Sequence, residues 1–203
     1  MQWIHSTNEE TGTPKAVAMV IHGLNLKPDA MMPTVDILVS TGVDVLLVTL
    51  SGHNTAVLSD SERLSEFKKV SYTQWRQEVQ YAYQLLDERA TTLGVKKYLV
   101  GYSIGALLGV GIMLGQDSTH SLAEPYFNKM VLLAPALAVR PTSHFLRPFS
   151  WWPDLVMPSF SPRDYHANWG TPMAAYNALY DAMANFDDNV SSVMNVPTLV
   201  MID

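Results

Sequence analysis

Five mostly apolar runs recur along the chain, and each is short and rich in aliphatic residues, as strands buried on both faces are. They are residues 16–21, 43–50, 97–100, 129–133 and 196–202. The first three runs lead into short loops that contain His22, Gly52 and Ser103. We predict that the five runs are strands of one sheet.

The segments between these runs show the three- and four-residue spacing of amphipathic helices. Residues 30–40, 72–93, 104–114 and 171–186 are predicted as helices, the last with Thr171 as its N-cap and Pro172 in its first turn. Strands that alternate with helices predict an α/β fold with a mostly parallel central sheet and helices on both faces. Because ligands bind at the carboxyl ends of parallel strands, the three loops are expected to converge on one site.

Residues 140–169 differ from the rest of the chain, because prolines and aromatic residues interrupt every regular pattern there. The segment is too apolar for a disordered linker and too broken for one regular element. We therefore predict three parts: a core formed by residues 1–139, a mainly helical or irregular cap formed by residues 140–193, and a return to the core at 194–203.

The composition indicates a compact globular protein, since 48% of the 203 residues are hydrophobic and 16% are charged. A formal net charge of −6 without lysine or arginine clusters argues against nucleic acid as a partner. The sequence has no apolar run of about 18 residues, the length that spans a membrane, and residues 1–14 show no signal peptide, so a cytoplasmic location is favoured. There is no cysteine, and neither a metal site nor a cofactor is expected.

The sequence Gly101-Tyr102-Ser103-Ile104-Gly105 follows a predicted strand and opens a predicted helix. In this setting the middle residue of G-x-S-x-G is lifted above the sheet, and the two glycines let the strand and the helix approach closely. Ser103 is therefore a candidate nucleophile at a helix N-terminus, where free N–H groups favour a developing oxyanion. The alternative is a Gly-Ser turn without chemistry, which the flanking strand and helix disfavour.

Four motifs, in this order, resemble those of the α/β-hydrolase superfamily, and in particular its capped esterase and monoacylglycerol-lipase-like branch. They are Val20-Ile21-His22-Gly23, Ser51-Gly52-His53, Gly101-Tyr102-Ser103-Ile104-Gly105 and Pro197-Thr198-Leu199-Val200. The resemblance covers essentially the whole chain. It implies that Ser103 forms an acyl-enzyme with an ester carbonyl, and that the backbone N–H groups of Leu24 and Ile104 hold the oxyanion.

Two histidines near the predicted strand ends take supporting roles in this scheme. We expect His22 to shape the oxyanion loop through hydrogen bonds and not to act as the base. The run Ser51-Gly52-His53-Asn54 departs from the family's usual Gly-His-Gly-x-Ser, because Asn54 stands where the second glycine would be. We expect this run to form a turn that lines the pocket.

The acid and the histidine of the family's triad follow the serine in the chain, and the resemblance places both beyond the residues present. Three hypotheses remain open. In the first, the sequence is an N-terminal fragment, and both groups belong to the missing C-terminal part of the same chain. In the second, Asp203 forms an unusual triad with His53, His144 or His166. In the third, the protein is a hydrolase-like scaffold that binds without turnover.

The resemblance implies a serine carboxylic-ester hydrolase whose partner is a small ester or lipid, either a short- to medium-chain ester or a monoacylglycerol. Aromatic residues of the predicted cap favour an apolar acyl pocket. In the other interpretation, Phe149, Trp151 and Trp152 pack the cap onto the sheet. The alternative functions are a thioesterase, peptidase or acyltransferase on the same scaffold, or a non-catalytic binding protein.

Overall fold

The computed structural model describes residues 1–6, 12–114, 126–137, 147–159, 162–189 and 196–202. Its strands are β1 (Gln2–Ile4), β2 (Ala16–Ile21), β3 (Val43–Val48), β4 (Lys96–Tyr102), β5 (Lys129–Leu133), β6 (Val156–Pro158), β7 (Gly170–Pro172) and β8 (Thr198–Met201). Six of them form a central sheet in the order β1-β3-β2-β4-β5-β8. Within this sheet β1 pairs antiparallel with β3, and the other neighbours pair in parallel.

Helices cover both faces of this sheet. They are α1 (Met32–Ser40), α2 (Asp60–Phe67), α3 (Tyr72–Leu93), α4 (Ile104–Gly111) and α5 (Met173–Asn189). The alternation of side chains along β2 shows the two faces. Met19 belongs to a large buried cluster with α3, α4 and α5, whereas its neighbours Ala18 and Val20 belong to a smaller one that includes Val35 of α1. The predicted α/β architecture with a mostly parallel sheet is therefore confirmed.

Two helices show how local signals define the elements. Helix α3 has the predicted bounds: the Ser71 side chain accepts the N–H of Gln74 at 3.2 Å, and Gly94 ends the helix in the left-handed region with φ 67°. Helix α2 lies in a polar stretch where no element is predicted. It begins with a capping box, in which Ser59 and Glu62 bond to each other's backbone N–H groups.

The described part of the predicted cap contains β6, β7 and α5. Helix α5 begins at Met173, and Thr171 and Pro172 belong to β7, so Thr171 is not the N-cap that the sequence predicts. The apolar face of α5 packs against α3 and α4 within the main buried cluster. This helix thus lies in the helix layer of the sheet. The predicted boundaries at 139/140 and 193/194 fall outside the described residues and stay a prediction.

The edge of the sheet at β8 differs from its centre. All residues of β2 and β3 are buried, whereas the four residues of β8 are exposed. Among the helices of the described ranges, none combines the length and the apolar character needed to cross a membrane.

Candidate active site

A sharp turn between β4 and α4 positions Ser103. Its backbone has φ 52° and ψ −117°, a conformation that is rare for a residue with a side chain and that indicates local strain. The N–H of Ser103 donates to the carbonyl oxygen of Leu133 on β5 at 2.9 Å, and the N–H of Ala136 donates to the carbonyl oxygen of Ser103 at 3.2 Å. Two bonds from the neighbouring strand and its loop therefore hold the turn in place.

The two glycines of the motif are required by close backbone approach. A Cβ atom on Gly101 would lie 2.4 Å from the Cα atom of Ala106, so the strand and the helix could not meet as they do. A Cβ atom on Gly105 would lie 2.5 Å from the carbonyl oxygens of both Ile21 and His22. The first turn of α4 therefore lies directly against the end of β2, and the expected close approach at G-x-S-x-G is confirmed.

The loop after β2 passes close to Ser103. A Cβ atom on Gly23 would lie 3.3 Å from the Cβ atom of Ser103. The loop after β3 lies next to it, since the rings of His22 and His53 are 4.6 Å apart between centroids. The three loops that the sequence places at strand ends thus converge on one region, as expected.

Two backbone N–H groups beside Ser103, those of Leu24 and Ile104, find no acceptor among the described residues. Ile104 is the first residue of α4, and the N–H groups of a first helical turn have no acceptor within the helix. The N–H of Leu24, directly after Gly23, has no acceptor among the described residues. Both residues predicted as oxyanion donors are thus in the loop and turn that flank the serine. Their role in catalysis stays a prediction.

His22 is buried, and both of its ring nitrogens are engaged. Nδ1–H donates to the carbonyl oxygen of Gly23 at 2.8 Å, and Nε2 accepts the N–H of Leu50 at 3.2 Å. Burial lowers the pKa of His22 to about 4, despite the bond to Gly23, which raises it. A neutral imidazole with no free nitrogen ties two loops together, and it has the contacts that the prediction of a loop-shaping role requires.

His53 is also buried and fully engaged. Its Nδ1–H donates to the carbonyl oxygen of Ser51 at 3.1 Å, and its Nε2 accepts the N–H of Asn25 at 3.0 Å. Burial, and then the nearby His22, lower the pKa of His53 well below its ordinary value. An unusual triad of His53 with Asp203 would need a free nitrogen, so this alternative is wrong for His53.

The other residues of the unusual triad give no support for it in the described ranges. His144 and Asp203 lie outside the described residues. His166 forms a β-bridge with Leu26, and the ring nitrogens of His22 and His53 bond to the backbone and not to Ser103. No group of three or more metal-ligating side chains occurs within the described part of the chain either.

Asn25 is a site residue that the sequence reasoning missed. Its φ is 52°, and its side chain bonds to Asn168, which is 143 residues away in the chain. The one local signal was the residue type, since asparagine tolerates the left-handed region better than other residues with side chains. The distant partner carries no local signal at all.

Comparison with known proteins agrees with this geometry. The model of the hydrolase family described as serine aminopeptidase, S33, matches residues 12–194. The chain belongs to this family. No curated protein matches the chain by sequence.

Solved structures of α/β-hydrolases share the fold at low sequence identity. A metagenome-derived lipolytic enzyme is 20% identical, with a TM-score of 0.73 over 98% of this chain and 74% of its own. A soluble variant of monoglyceride lipase from Saccharomyces cerevisiae is 10% identical, with a TM-score of 0.74 over 98% and 72%. A carboxyl esterase from Bacillus coagulans, in complex with glycerol, is 12% identical, with a TM-score of 0.62 over 100% and 90%. At this identity these likenesses establish the fold of the S33 chain.

The tryptophans of the predicted cap of this S33 hydrolase are more exposed than the interpretation that they pack the cap onto the sheet requires. Trp151 is 86% exposed and Trp152 is 63% exposed, so neither packs the cap onto the sheet. Phe149 contacts Trp152, with 6.3 Å between ring centroids. The two tryptophans therefore lie on the surface, and an acyl pocket lined by aromatic residues of the cap stays a prediction.

Proposed function

We propose that this hydrolase is a serine carboxylic-ester hydrolase that forms an acyl-enzyme on Ser103. The observation that carries the proposal is the strained turn at Ser103, which lies beside the N–H groups of Leu24 and Ile104, for which the described residues provide no acceptor. Such a turn presents a hydroxyl above the sheet at a helix N-terminus, where positive charge density favours an anion. The substrate class that we propose is short- to medium-chain esters or monoacylglycerols.

The reaction follows from this geometry. The Oγ atom of Ser103 attacks the ester carbonyl, and the carbonyl oxygen becomes an oxyanion that the N–H groups of Leu24 and Ile104 stabilise. Collapse of this intermediate expels the alcohol and leaves an acyl-serine, which water then hydrolyses to release the acid. In this scheme each lost oxyanion donor lowers the rate by about 100- to 1000-fold.

A base must take the proton of Ser103 during the attack, and in our proposal it is a histidine. Neither His22 nor His53 can take this role, because all four of their ring nitrogens are bonded to the backbone. The base in our proposal is therefore a histidine other than these two. Both histidines instead join the loop that carries Leu24 to the loop after β3.

A peptidase is the second candidate, since the family is named for serine aminopeptidases. The attack and the oxyanion would be the same, and the difference lies in the leaving group, an amine in place of an alcohol. The fold of monoglyceride lipases and of a carboxyl esterase supports the ester hydrolase.

Covalent labelling tests the nucleophile. A fluorophosphonate probe is expected to label the wild-type chain at Ser103, and Ser103→Ala is expected to abolish labelling and to reduce ester turnover by about 10⁴-fold or more. The control is Ser40→Ala, which changes an exposed serine on α1 and should leave both readouts unchanged. Undiminished labelling of Ser103→Ala would refute the assignment.

Substrate panels then separate the candidates. We expect turnover of p-nitrophenyl esters in a chain-length series from acetate to decanoate, with a maximum at short or medium length. Matched aminoacyl p-nitroanilides should be poor substrates. Faster turnover of the anilides would replace the ester hydrolase with the peptidase and leave Ser103 as nucleophile.

A further inference from the structure

The loop that carries Leu24 is held at one residue, Asn25. The φ of Asn25 is 52°, and its N–H donates to Nε2 of His53 at 3.0 Å. This bond orients the peptide unit directly after Leu24 from inside the core, because His53 is completely buried. The direction of the Leu24 N–H therefore depends on what holds Asn25.

A segment from the predicted cap holds the other side of Asn25. We name residues 165–169 the clasp segment. The Oδ1 atom of Asn25 accepts the N–H of Asn168 at 2.9 Å, and its Nδ2 donates to the carbonyl oxygen of Asn168 at 3.0 Å. The side-chain amide thus pairs with a main-chain unit as a strand would. Nδ2 also donates to the Oγ atom of Ser159 at 2.9 Å.

Main-chain bonds extend this pairing along the loop. The N–H of Ala167 donates to the carbonyl oxygen of Asn25 at 3.0 Å, and the N–H of Lys27 donates to the carbonyl oxygen of Tyr165 at 2.9 Å. Leu26 and His166 form the antiparallel bridge between them. The clasp segment therefore lies along the oxyanion loop as a short additional strand.

The clasp segment is itself anchored to the core. Arg63 of α2 is 6% exposed, and its Nε donates to the carbonyl oxygen of Ala167 at 2.6 Å. The Nδ2 atom of Asn168 donates to the carbonyl oxygen of Gly52 at 2.8 Å, in the loop after β3. A movement of the clasp segment would break these buried bonds, so its position is well defined.

We propose that Asn25 is a positioning residue that sets the direction of the Leu24 N–H, and that the clasp segment fixes it through the Asn25–Asn168 pair. The inference rests on the proposed function, in which the Leu24 N–H binds the oxyanion. Without the pair, the loop keeps its bond to His53 and its main-chain bonds to the clasp segment, but the side chain of residue 25 no longer fixes the loop to Asn168. Misplacement by about 1 Å is enough to lower a rate about 100-fold.

Asn25→Gly is the informative variant. Glycine accepts a positive φ without strain, so the loop can still form while the side-chain bonds to Asn168 and Ser159 are lost. We expect kcat for a p-nitrophenyl ester to fall about 10- to 100-fold, with KM within threefold of wild type. The matched control is Asn177→Ala, which removes a bond to Ser150 outside the clasp segment and should change neither constant by more than about twofold.

A sulfur substrate tests whether the loss concerns the oxyanion. Sulfur accepts hydrogen bonds weakly, so the wild type should hydrolyse the ester much faster than the matching thionoester, in which sulfur replaces the carbonyl oxygen. With the Leu24 N–H misplaced, this preference is expected to fall about tenfold in Asn25→Gly and to stay unchanged in Asn177→Ala. An unchanged preference in Asn25→Gly would overturn the positioning role.

Hydrogen exchange gives a readout that is independent of activity. The amide at position 25 is protected by its bond to His53, and we expect its protection to fall about 10-fold or more in Asn25→Gly but not in Asn177→Ala. A kcat of Asn25→Gly equal to that of the wild type would overturn the proposal, whether the amide at position 25 stays protected or loses its protection. If the wild type is not labelled at Ser103, the proposed function fails, and the exchange result still decides whether the clasp segment holds the loop.

Discussion

One polar cluster lies at the amino ends of the parallel strands of the central sheet, and a second lies at their carboxyl ends. Both contain histidine, but the first is built around a charged side chain and the second around neutral ones. At the amino end of β3, Asp44 is 2% exposed and bonds to His5, Ser6 and Arg89. At the carboxyl ends of β2 and β3, His22 and His53 bond only to the backbone. The first cluster is an ion pair, and the second is neutral.

Solvent access explains the difference. The side chain of Arg89 is partly exposed, so its charge stays hydrated while it neutralises the carboxylate of Asp44. His22 and His53 are fully buried, and in the described part of the chain neither ring bonds to a carboxylate, so a protonated ring there would be an unpaired charge in the core. A charged cluster is thus suited to securing an edge strand, and a neutral one to holding loops beside a reacting group.

The largest expected effect follows from breaking the charged cluster. Asp44→Ala removes the charged acceptor of three side chains, so the free energy of unfolding should fall by about 2–3 kcal/mol. Urea denaturation measures this change. Asp36→Ala, on the exposed side of α1, is the control and should change stability by less than about 0.5 kcal/mol.

The rate of fluorophosphonate labelling in the folded fraction tests whether the Asp44 cluster affects the loops near Ser103. Asp44→Ala should leave this rate unchanged below the unfolding midpoint, since none of its bonds reaches the loops near Ser103. A tenfold drop in that rate would contradict the separation of the two clusters.

The two clusters are expected to change the free energy of unfolding in two different pH ranges. The pKa of His22 in the folded chain is about 4, below its ordinary value of 6.5, so between these values the unfolded chain binds the proton and the folded chain does not. Stability should therefore fall as pH is lowered from 6.5 to 4, by about 1.4 kcal/mol per pH unit for this group. Urea unfolding at half-unit steps of pH measures the slope.

The charged cluster acts in the more acidic window. Burial alone would raise the pKa of Asp44, but hydrogen bonds from His5, Ser6 and Arg89 lower it from 3.8 to about 2. Its contribution of about 2 kcal/mol is present above pH 3.8 and is lost as pH falls through 2. Asp44→Asn should remove this lower window and keep the upper one. If both windows vanished together, the clusters would not be independent.

The smallest effect is expected at the outer member of the charged cluster. The side chain of His5 is 58% exposed, and its bond to Asp44 is 3.0 Å long. His5→Ala should therefore destabilise the chain by less than about 1 kcal/mol, because Arg89 and Ser6 still satisfy the carboxylate. A loss near that of Asp44→Ala, measured in the same urea titration, would assign the cluster's stability to the histidine instead.

The parts of the fold with strong local patterns could be predicted from the sequence. The strands β2 to β5 are short apolar runs, and α3 has both a regular apolar stripe and two caps. The three-residue strand β1 has no such pattern, and it exists because Trp3 and its neighbours pair with β3. Helix α2 is too polar to show a periodic stripe, although Ser59 and Glu62 carried the signal for its start.

In the candidate site, too, the residues with a local sequence motif could be predicted and those that depend on distant contacts could not. Ser103 could be predicted because G-x-S-x-G is a local motif whose glycines meet nearby backbone. The roles of Asn25 and Asn168 could not, since the two residues are 143 positions apart and only the folded chain brings them together. His22 and His53 follow predicted strands, so their place near the site could be predicted. The sequence does not show that their ring nitrogens bond across from one loop to the other.

The separation of Asn25 from Asn168 has a consequence for the order of assembly during translation. The partner of the Asn25 N–H, His53, follows after 28 residues, whereas Asn168 follows after 143. At about 5–20 residues per second, the ribosome adds those 143 residues in about 7–30 seconds. The nascent chain therefore has time to bury His53 and form its bond to Asn25 before Asn168 is synthesised, so the loop after β2 is completed late in synthesis.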